Sequence, residues 1–173
     1  MIDLLKETLP VLKITPERWT GLTANLTPEL LNREPAPGEW SALDCLQHLV
    51  DAERWVFPLR VKAFLAGEDF PGFDPDAQGE ISSRTKTGTE LAAELAAMRA
   101  ESMKLLETLQ PADLELRAVH GQLGEVTLAE MLAEWAAHDL MHTVQAEQAL
   151  MQPFIAGCGP WLPYFAAHVI EQS

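Results

Sequence analysis

An all-α fold, a four-helix bundle with long connections and a short C-terminal helix, is predicted by three features of the 173-residue sequence. Apolar residues recur every three or four positions in four segments, which is the pattern of helices that bury one face. A Ser or Thr suited to capping a helix stands at or just before the start of each segment. Strand-like alternation is absent over any useful length, so a sheet is not expected.

The predicted helices of the bundle are separated by stretches rich in Gly and Pro. The four predicted helices span residues 15–25, 42–66, 89–109 and 127–151. Pro10 should kink or end an earlier apolar segment, residues 2–12, and Pro58 should kink the second bundle helix without ending it. The tail, residues 157–173, contains one last short amphipathic segment.

Two long connections, residues 68–88 and 111–124, distinguish this sequence from a simple bundle with short loops. The first is rich in Gly, Pro, Asp and Ser and has no sustained periodicity, which indicates an ordered crossover loop. A chain of this size can bury about 70% of the surface that its unfolded form exposes. We therefore expect one domain, residues 1–173, with a single core.

The charge balance argues against nucleic acid as a partner. Lys and Arg number 12 against 26 Asp and Glu, a net charge of -14, and no run of Lys or Arg forms a basic stripe. No apolar run approaches the length of a membrane span, and the first residues lack the features of a signal peptide. We expect a cytoplasmic protein without a membrane partner, in which Cys45 and Cys158 are reduced thiols.

Three histidines form the main candidate site. His138 and His142 lie four residues apart, a spacing that places both imidazoles on one helix face within reach of one metal ion. The residues sharing that face are mostly apolar, so we expect the pair to be buried. They are Met131, Trp135, Met141, Gln145 and Ala149. His48, on the second predicted helix, is the distant partner, and three separate core histidines are the alternative interpretation.

Two other kinds of metal site are excluded because their sequence motifs are absent. A carboxylate-bridged di-iron bundle needs Glu-x-x-His pairs, which occur nowhere in the chain. The His-Glu-x-x-His motif of zinc peptidases is absent as well. Cys45, three residues before His48, is expected to be a small buried apolar residue, and Trp55 and Trp135 are expected to pack in the core.

Several motifs together resemble the DinB/YfiT-like family. They are Gly38-Glu39-Trp40-Ser41, Cys45-Leu46-Gln47-His48-Leu49-Val50-Asp51-Ala52-Glu53, Gly124-Glu125-Val126-Thr127-Leu128 and the segment from Trp135 through His138 and His142 to Gln145. The resemblance covers residues 15–151, nearly the whole predicted bundle. It implies a four-helix bundle, usually a homodimer, with one divalent metal ion held by the residues that match His48, His138 and His142.

The resemblance also implies a range of reactions. Some members of the family are transferases or isomerases that use bacillithiol, mycothiol or glutathione, and others are described as metal-dependent hydrolases. His120 matches a loop histidine that is frequent in one branch of the family, although Gly121 replaces the proline that often follows it.

We therefore expect a metal-dependent enzyme, a thiol S-transferase or a hydrolase, that acts on a small-molecule substrate. Three neutral imidazoles leave a divalent ion, zinc or nickel, its full charge and an open position that activates water or a low-molecular-weight thiol. Asp44, His120 and Gln145 are the candidate helper residues. The alternative is a non-catalytic bundle that binds metal or another protein, including one with a role in stress.

Overall fold

Four helices form the bundle in the computed structural model, which describes residues 4–72 and 85–170. Within those ranges the helices are α1 (Leu4–Asn25), α2 (Pro28–Leu31), α3 (Ala42–Trp55), α4 (Phe57–Ala66), α5 (Gly88–Leu106) and α6 (Leu128–Gly157). α1 and α3 each pack against both α5 and α6, so α1 and α3 occupy opposite corners of the bundle. The predicted all-α four-helix bundle is thus confirmed. Most of the first predicted connection, residues 73–84, lies outside the described residues.

Capping explains where three of the bundle helices begin. Ser41, Thr87 and Thr127 each accept a hydrogen bond from the backbone N–H three residues later, and the acidic side chain there accepts one in return. The third predicted helix therefore begins at residue 88, capped by Thr87 rather than Thr89, and it ends three residues before the predicted position.

Three prolines lie inside long helices without ending them. α1 runs through Pro10 and Pro16, so the prediction of a new helix starting at residue 15 is wrong. α6 passes Pro153 and continues six residues beyond its predicted end at residue 151. A proline within a helix removes a single backbone hydrogen bond. In α1 the packing of Leu12 and Trp19, both 0% exposed, offsets that loss.

The second predicted helix is divided where α3 and α4 meet. Val56 at this point has φ -119° and ψ -82°, outside the helical region. Pro58 then falls in the first turn of α4, where its missing N–H costs no hydrogen bond. The predicted kink is therefore a break two residues before the proline. Backbone hydrogen bonds from Val56 to Ala52 and from Arg60 to Val56, both 3.0 Å, hold the two helices together.

A two-stranded hairpin occupies the second connection. β1 (Arg117–His120) and β2 (Gly124–Thr127) pair antiparallel, after a short 3-10 helix at Pro111–Glu115. The expectation of no strand is therefore wrong for this segment, because strands of four residues are too short to show a readable alternation. Phe70, which follows α4, forms a β-bridge with His120 and attaches the hairpin to the end of that helix.

The tail after α6 forms a 3-10 helix at Gly159–His168, in which no residue is buried. The side chain of Gln152 holds its end, because it donates to the carbonyl of His168 at 2.9 Å and accepts from the N–H of Ile170 at 3.0 Å. The predicted short C-terminal helix is thus present in 3-10 form. In the described ranges, no helix combines the length and the apolar character that crossing a membrane requires.

The interior holds two apolar clusters rather than the single core expected. One includes Phe57, Phe64, Leu106, Leu128, Leu132 and Trp135. The other includes Trp19, Leu46, Leu49, Leu91, Leu95 and Ala146. Along α5 and α6, the buried polar residues Arg99 and Asp139 lie between the positions that belong to one cluster and those that belong to the other. A polar layer therefore divides the bundle.

Arg99 is the centre of this polar layer, and it is only 2% exposed. Its guanidinium donates to Glu53 of α3 at 2.9 Å, to the carbonyl of Leu12 of α1 at 2.6 Å and to Asp139 of α6 at 2.7 Å. Ser102 donates to the second oxygen of Glu53. One side chain of α5 thus reaches each of the other three bundle helices, and we call these four polar side chains (Arg99, Glu53, Asp139 and Ser102) the Arg99 network.

Candidate metal centre

The structure brings together the three histidines singled out in the sequence. His48 extends from α3, and His138 and His142 extend from α6, such that one ligand nitrogen from each lies within 4.8 Å of the other two. The Nε2 atoms of His48 and His138 are 3.0 Å apart. The four-residue spacing accounts for the pair on α6. The arrival of His48 depends on the packing of α3 against α6, which no local pattern encodes.

The three imidazoles differ in burial. His142 is 6% exposed, as expected, whereas His48 and His138 are half-buried. Met141 was expected on the inward face but is 55% exposed, so the apolar face of α6 is narrower than the sequence indicated. The histidine group therefore lies at the boundary of the core, where an ion or a small molecule could reach it.

Burial keeps the three imidazoles neutral at pH 7. It lowers the pKa of His48 to about 4, and the neighbouring His142 adds to this effect. Burial also lowers the pKa of His138 to about 3, with further contributions from the two other histidines. The pKa of His142 is lowered by burial as well, and the hydrogen bond that His142 donates to Gln145 opposes this shift. Neutral imidazole nitrogens are the form that binds zinc, nickel and similar divalent ions.

A hydrogen bond orients one of the three rings. Nδ1 of His142 lies 2.9 Å from Oε1 of Gln145, and because an amide oxygen only accepts, Nδ1 carries the proton. The lone pair of His142 is then on Nε2. Such support of a ligand imidazole through its second nitrogen is usual at metal sites. Nδ1 of His138 is buried and has no such partner among the described residues.

Trp40 lies against the histidine group, a position that was not predicted from the sequence. Its ring centroid is 5.1 Å from that of His48 and 5.7 Å from that of His142, on which it stacks. Trp40 directly precedes Ser41, whose capping box starts α3. The cap therefore fixes the chain direction that carries the indole over the imidazoles. The only sequence signal was its place in the Gly38–Ser41 motif.

The other residues noted near His48 have structural contacts of their own. Asp44 accepts from the N–H of Ser41 at 2.9 Å and completes the capping box of α3. Cys45 is 0% exposed, and burial raises the pKa of its thiol to about 12, so it stays protonated as a small core residue. Trp135 is buried as predicted, but the prediction for Trp55 is wrong, since 48% of it is exposed.

A cavity of about 270 Å³ opens beside the histidine group. Its lining residues are His48, Ala52, Val56, Phe57, Arg60, His120, Gln122, Leu123, Glu134 and His138. His120 therefore shares the cavity with two of the clustered histidines but does not join their group. The break at Val56 places both Val56 and Phe57 in the wall. His48 and His138 thus form part of the wall of this cavity.

The fold and the site define a four-helix bundle with three converging histidines beside a cavity. Residues 12–146 match the sequence model of the DinB superfamily, and the chain belongs to that superfamily. The structure is similar to YfiT from Bacillus subtilis, which is described as a probable metal-dependent hydrolase with an unusual four-helix bundle topology. The TM-score is 0.75 at 21% sequence identity, over 89% of this chain and 90% of that chain. A comparison with curated protein sequences finds no significant match.

Proposed function

We propose that this protein is a metal-dependent enzyme in which His48, His138 and His142 hold one divalent ion, zinc or nickel. The observation that supports this proposal is the meeting of three neutral imidazoles beside a cavity. When bound, such an ion acts as a Lewis acid and lowers the pKa of water or a thiol at its open position. Three histidines add no negative charge, so they leave the ion strongly acidic.

Hydrolysis is the first candidate reaction, and transfer of a low-molecular-weight thiol is the second. The description of YfiT as a probable metal-dependent hydrolase favours hydrolysis. The cavity volume of about 270 Å³ also favours it, because a small substrate and one water molecule need less space than a substrate and a thiol cofactor. Gln145 orients His142, and the indole of Trp40 stacks on the same imidazole.

The test combines metal analysis with rate measurements. Metal-loaded protein, chelated protein and the His142→Ala variant are compared on ester, amide and electrophile panels, with no thiol and with bacillithiol, mycothiol or glutathione. We expect about one ion per chain and activity in the loaded protein alone. Activity without added thiol indicates a hydrolase, and activity only with a thiol indicates a transferase.

The matched control is His168→Ala, because His168 is exposed in the tail 3-10 helix. It should retain the metal and the activity. If the loaded protein gives the uncatalysed rate with every nucleophile, the enzyme proposal fails and the non-catalytic metal-binding bundle replaces it. If no ion binds, both proposals fail.

We also propose that the protein forms a homodimer. Large apolar side chains are exposed on several elements, and pairing of two chains would cover some of them. They include Trp55, Leu59, Met141, Val144, Phe154 and Trp161. Light scattering should give about twice the 19.1 kDa mass of one chain, and a value of one chain at micromolar concentration would contradict the proposal.

A further inference from the structure

We infer that Arg60 and His120 form a carboxylate-binding end of the cavity, so that the substrate is a small acid whose charged group lies there. This inference rests on the proposed function in one respect, since it places the reacting part of the substrate at the three histidines. Arg60 and the three histidines are close to each other. Glu134, which contacts Arg60, lies one turn of α6, about 5.4 Å, before His138.

Arg60 is a buried guanidinium with few partners. It is 8% exposed, and in the described ranges its closest polar side-chain neighbour is His120, whose Nε2 lies 3.2 Å from Nη2 of Arg60. The carboxylate nearest to it, that of Glu134, is 3.6 Å away and belongs to a side chain that is 54% exposed. A guanidinium has five N–H donors and no acceptor. Among residues 4–72 and 85–170, most donors of Arg60 therefore have no acceptor, and Arg60 lines the cavity.

His120 adds a further donor at the same place. Its Nδ1 accepts from the backbone N–H groups of Gln122 at 3.1 Å and Leu123 at 3.3 Å. In the neutral ring the proton is then on Nε2, which is the atom that faces Arg60. Two donors thus point toward each other, and an oxygen acceptor placed beside them would satisfy both. A carboxylate offers two such oxygens in the plane that a guanidinium matches.

The rest of the lining indicates a small ligand with an apolar body. Phe70 packs under the guanidinium, 5.3 Å from its central carbon, and Ala52, Val56 and Phe57 line the wall. These apolar surroundings strengthen a charged hydrogen bond relative to water. The volume of about 270 Å³ equals that of about nine liquid water molecules, which suits an acid of about ten non-hydrogen atoms.

The first experiment tests the anion site without any metal. Metal-free protein is titrated with butanoate and with butanamide, and the NMR signals of the Arg60 Nε–H and the His120 ring are followed. We expect saturable shifts with butanoate and at least 10-fold weaker binding of butanamide. Arg60→Gln should remove the preference, and Arg60→Lys should keep part of it because the charge remains.

Two further variants sharpen this test. Glu134→Gln removes the carboxylate that competes for Arg60 and should tighten butanoate binding about 3-fold. Arg54→Gln is the matched control, since Arg54 lies on α3, pairs with Asp51 and Glu94 and does not line the cavity. It removes the same charge and should leave the preference unchanged. Equal binding of butanoate and butanamide to the unmodified protein would overturn the inference.

The second experiment asks whether the anion site and the histidines serve one substrate. Protein loaded with Co²⁺ is titrated with 3-mercaptopropanoate and 3-mercaptopropanamide, and the thiolate absorption band is measured. We expect the unmodified protein to bind the acid at least 10-fold tighter than the amide. In Arg60→Gln the acid and the amide should bind with equal affinity. Equal affinities in the unmodified protein would contradict the link between the two ends. If neither thiol binds while butanoate still does, the anion site stands and the proposed thiol activation fails.

Discussion

The Arg99 network and the histidine group are two polar regions on the same helices, and they differ in how their members are satisfied. In the network, a guanidinium donates to two carboxylates and a carbonyl, Ser102 donates to the second oxygen of Glu53, and all four side chains are buried. In the histidine group, three neutral rings face one another with no opposite charge among them. A polar region whose charges are paired within the protein stabilises the bundle. A group of neutral imidazoles without such partners is suited to bind a ligand.

The largest effect is expected from Arg99→Met. It leaves Glu53 and Asp139 buried without a counter-charge, which should lower the free energy of unfolding by about 3–5 kcal/mol. Urea denaturation followed by circular dichroism measures the change. Adding Glu53→Gln and Asp139→Asn to the same protein should restore part of the loss. A decrease below about 1 kcal/mol would show that the network is not a structural element.

His48→Ala, unlike Arg99→Met, should affect metal binding far more than stability. We expect metal affinity to fall by more than about 100-fold, because a three-ligand set loses one donor. The free energy of unfolding of the metal-free protein should change by less than about 1 kcal/mol, since the half-buried ring supports little of the core. Competition titration with a chelator gives the affinity. Unchanged affinity would exclude His48 from the site.

Gln145→Leu tests the support of His142 without removing a ligand. The variant keeps the side-chain volume but loses the acceptor that holds the proton on Nδ1. Metal affinity should fall by about 10-fold to 100-fold, which is the usual cost of losing such a partner. Gln145→Glu, which retains an acceptor, should recover most of the affinity. Equal affinities for all three proteins would mean that Gln145 has another role.

The most gradual effect is a pH dependence of the metal-free protein, because it is spread over several pH units. The folded pKa values of His48 (about 4) and His138 (about 3) lie below the ordinary value of 6.5. At pH values between these folded pKa values and 6.5, the unfolded chain binds more protons than the folded one. The free energy of unfolding therefore falls as the pH drops below 6.5. Each histidine contributes at most about 1.4 kcal/mol per pH unit.

Denaturation curves recorded between pH 4.5 and pH 7 measure this dependence. His48→Ala should show a shallower slope than the unmodified protein, because one of the groups that gains a proton on unfolding is gone. Parallel curves would indicate that His48 does not lose affinity for protons on folding.

Sequence reasoning reached the bundle and the histidines but not their surroundings. The spacing of His138 and His142, and the family motifs around His48, are local features and could be read directly. Arg99, in contrast, stands on α5 like any surface arginine, and its partners come from three other helices. Nothing in a one-dimensional pattern distinguishes a charged side chain that turns inward from one that meets solvent.

Arg60 was not predicted from the sequence, and its contact with His120, a predicted helper residue, is equally non-local. Arg60 and His120 are 60 residues apart and meet because the hairpin docks beside α4. The hairpin has strands of four residues, shorter than any alternation that could be counted. Trp55 and Met141 were placed in the core from periodicity alone, yet both are about half exposed. An apolar residue on the inward face of a helix remains exposed where no neighbouring helix covers it.

The position of Asp139 directly after His138 has a kinetic consequence. Successive residues point about 100° apart around a helix, so Asp139 faces Arg99 while His138 faces the cavity. Any rotation of α6 about its axis that displaced His138 would pull Asp139 away from its guanidinium. Glu53 ties α3, the helix of His48, to the same group. The three rings are therefore held in their arrangement before an ion arrives, and the rate of metal uptake should be limited by passage of the ion to the site rather than by rearrangement of the bundle.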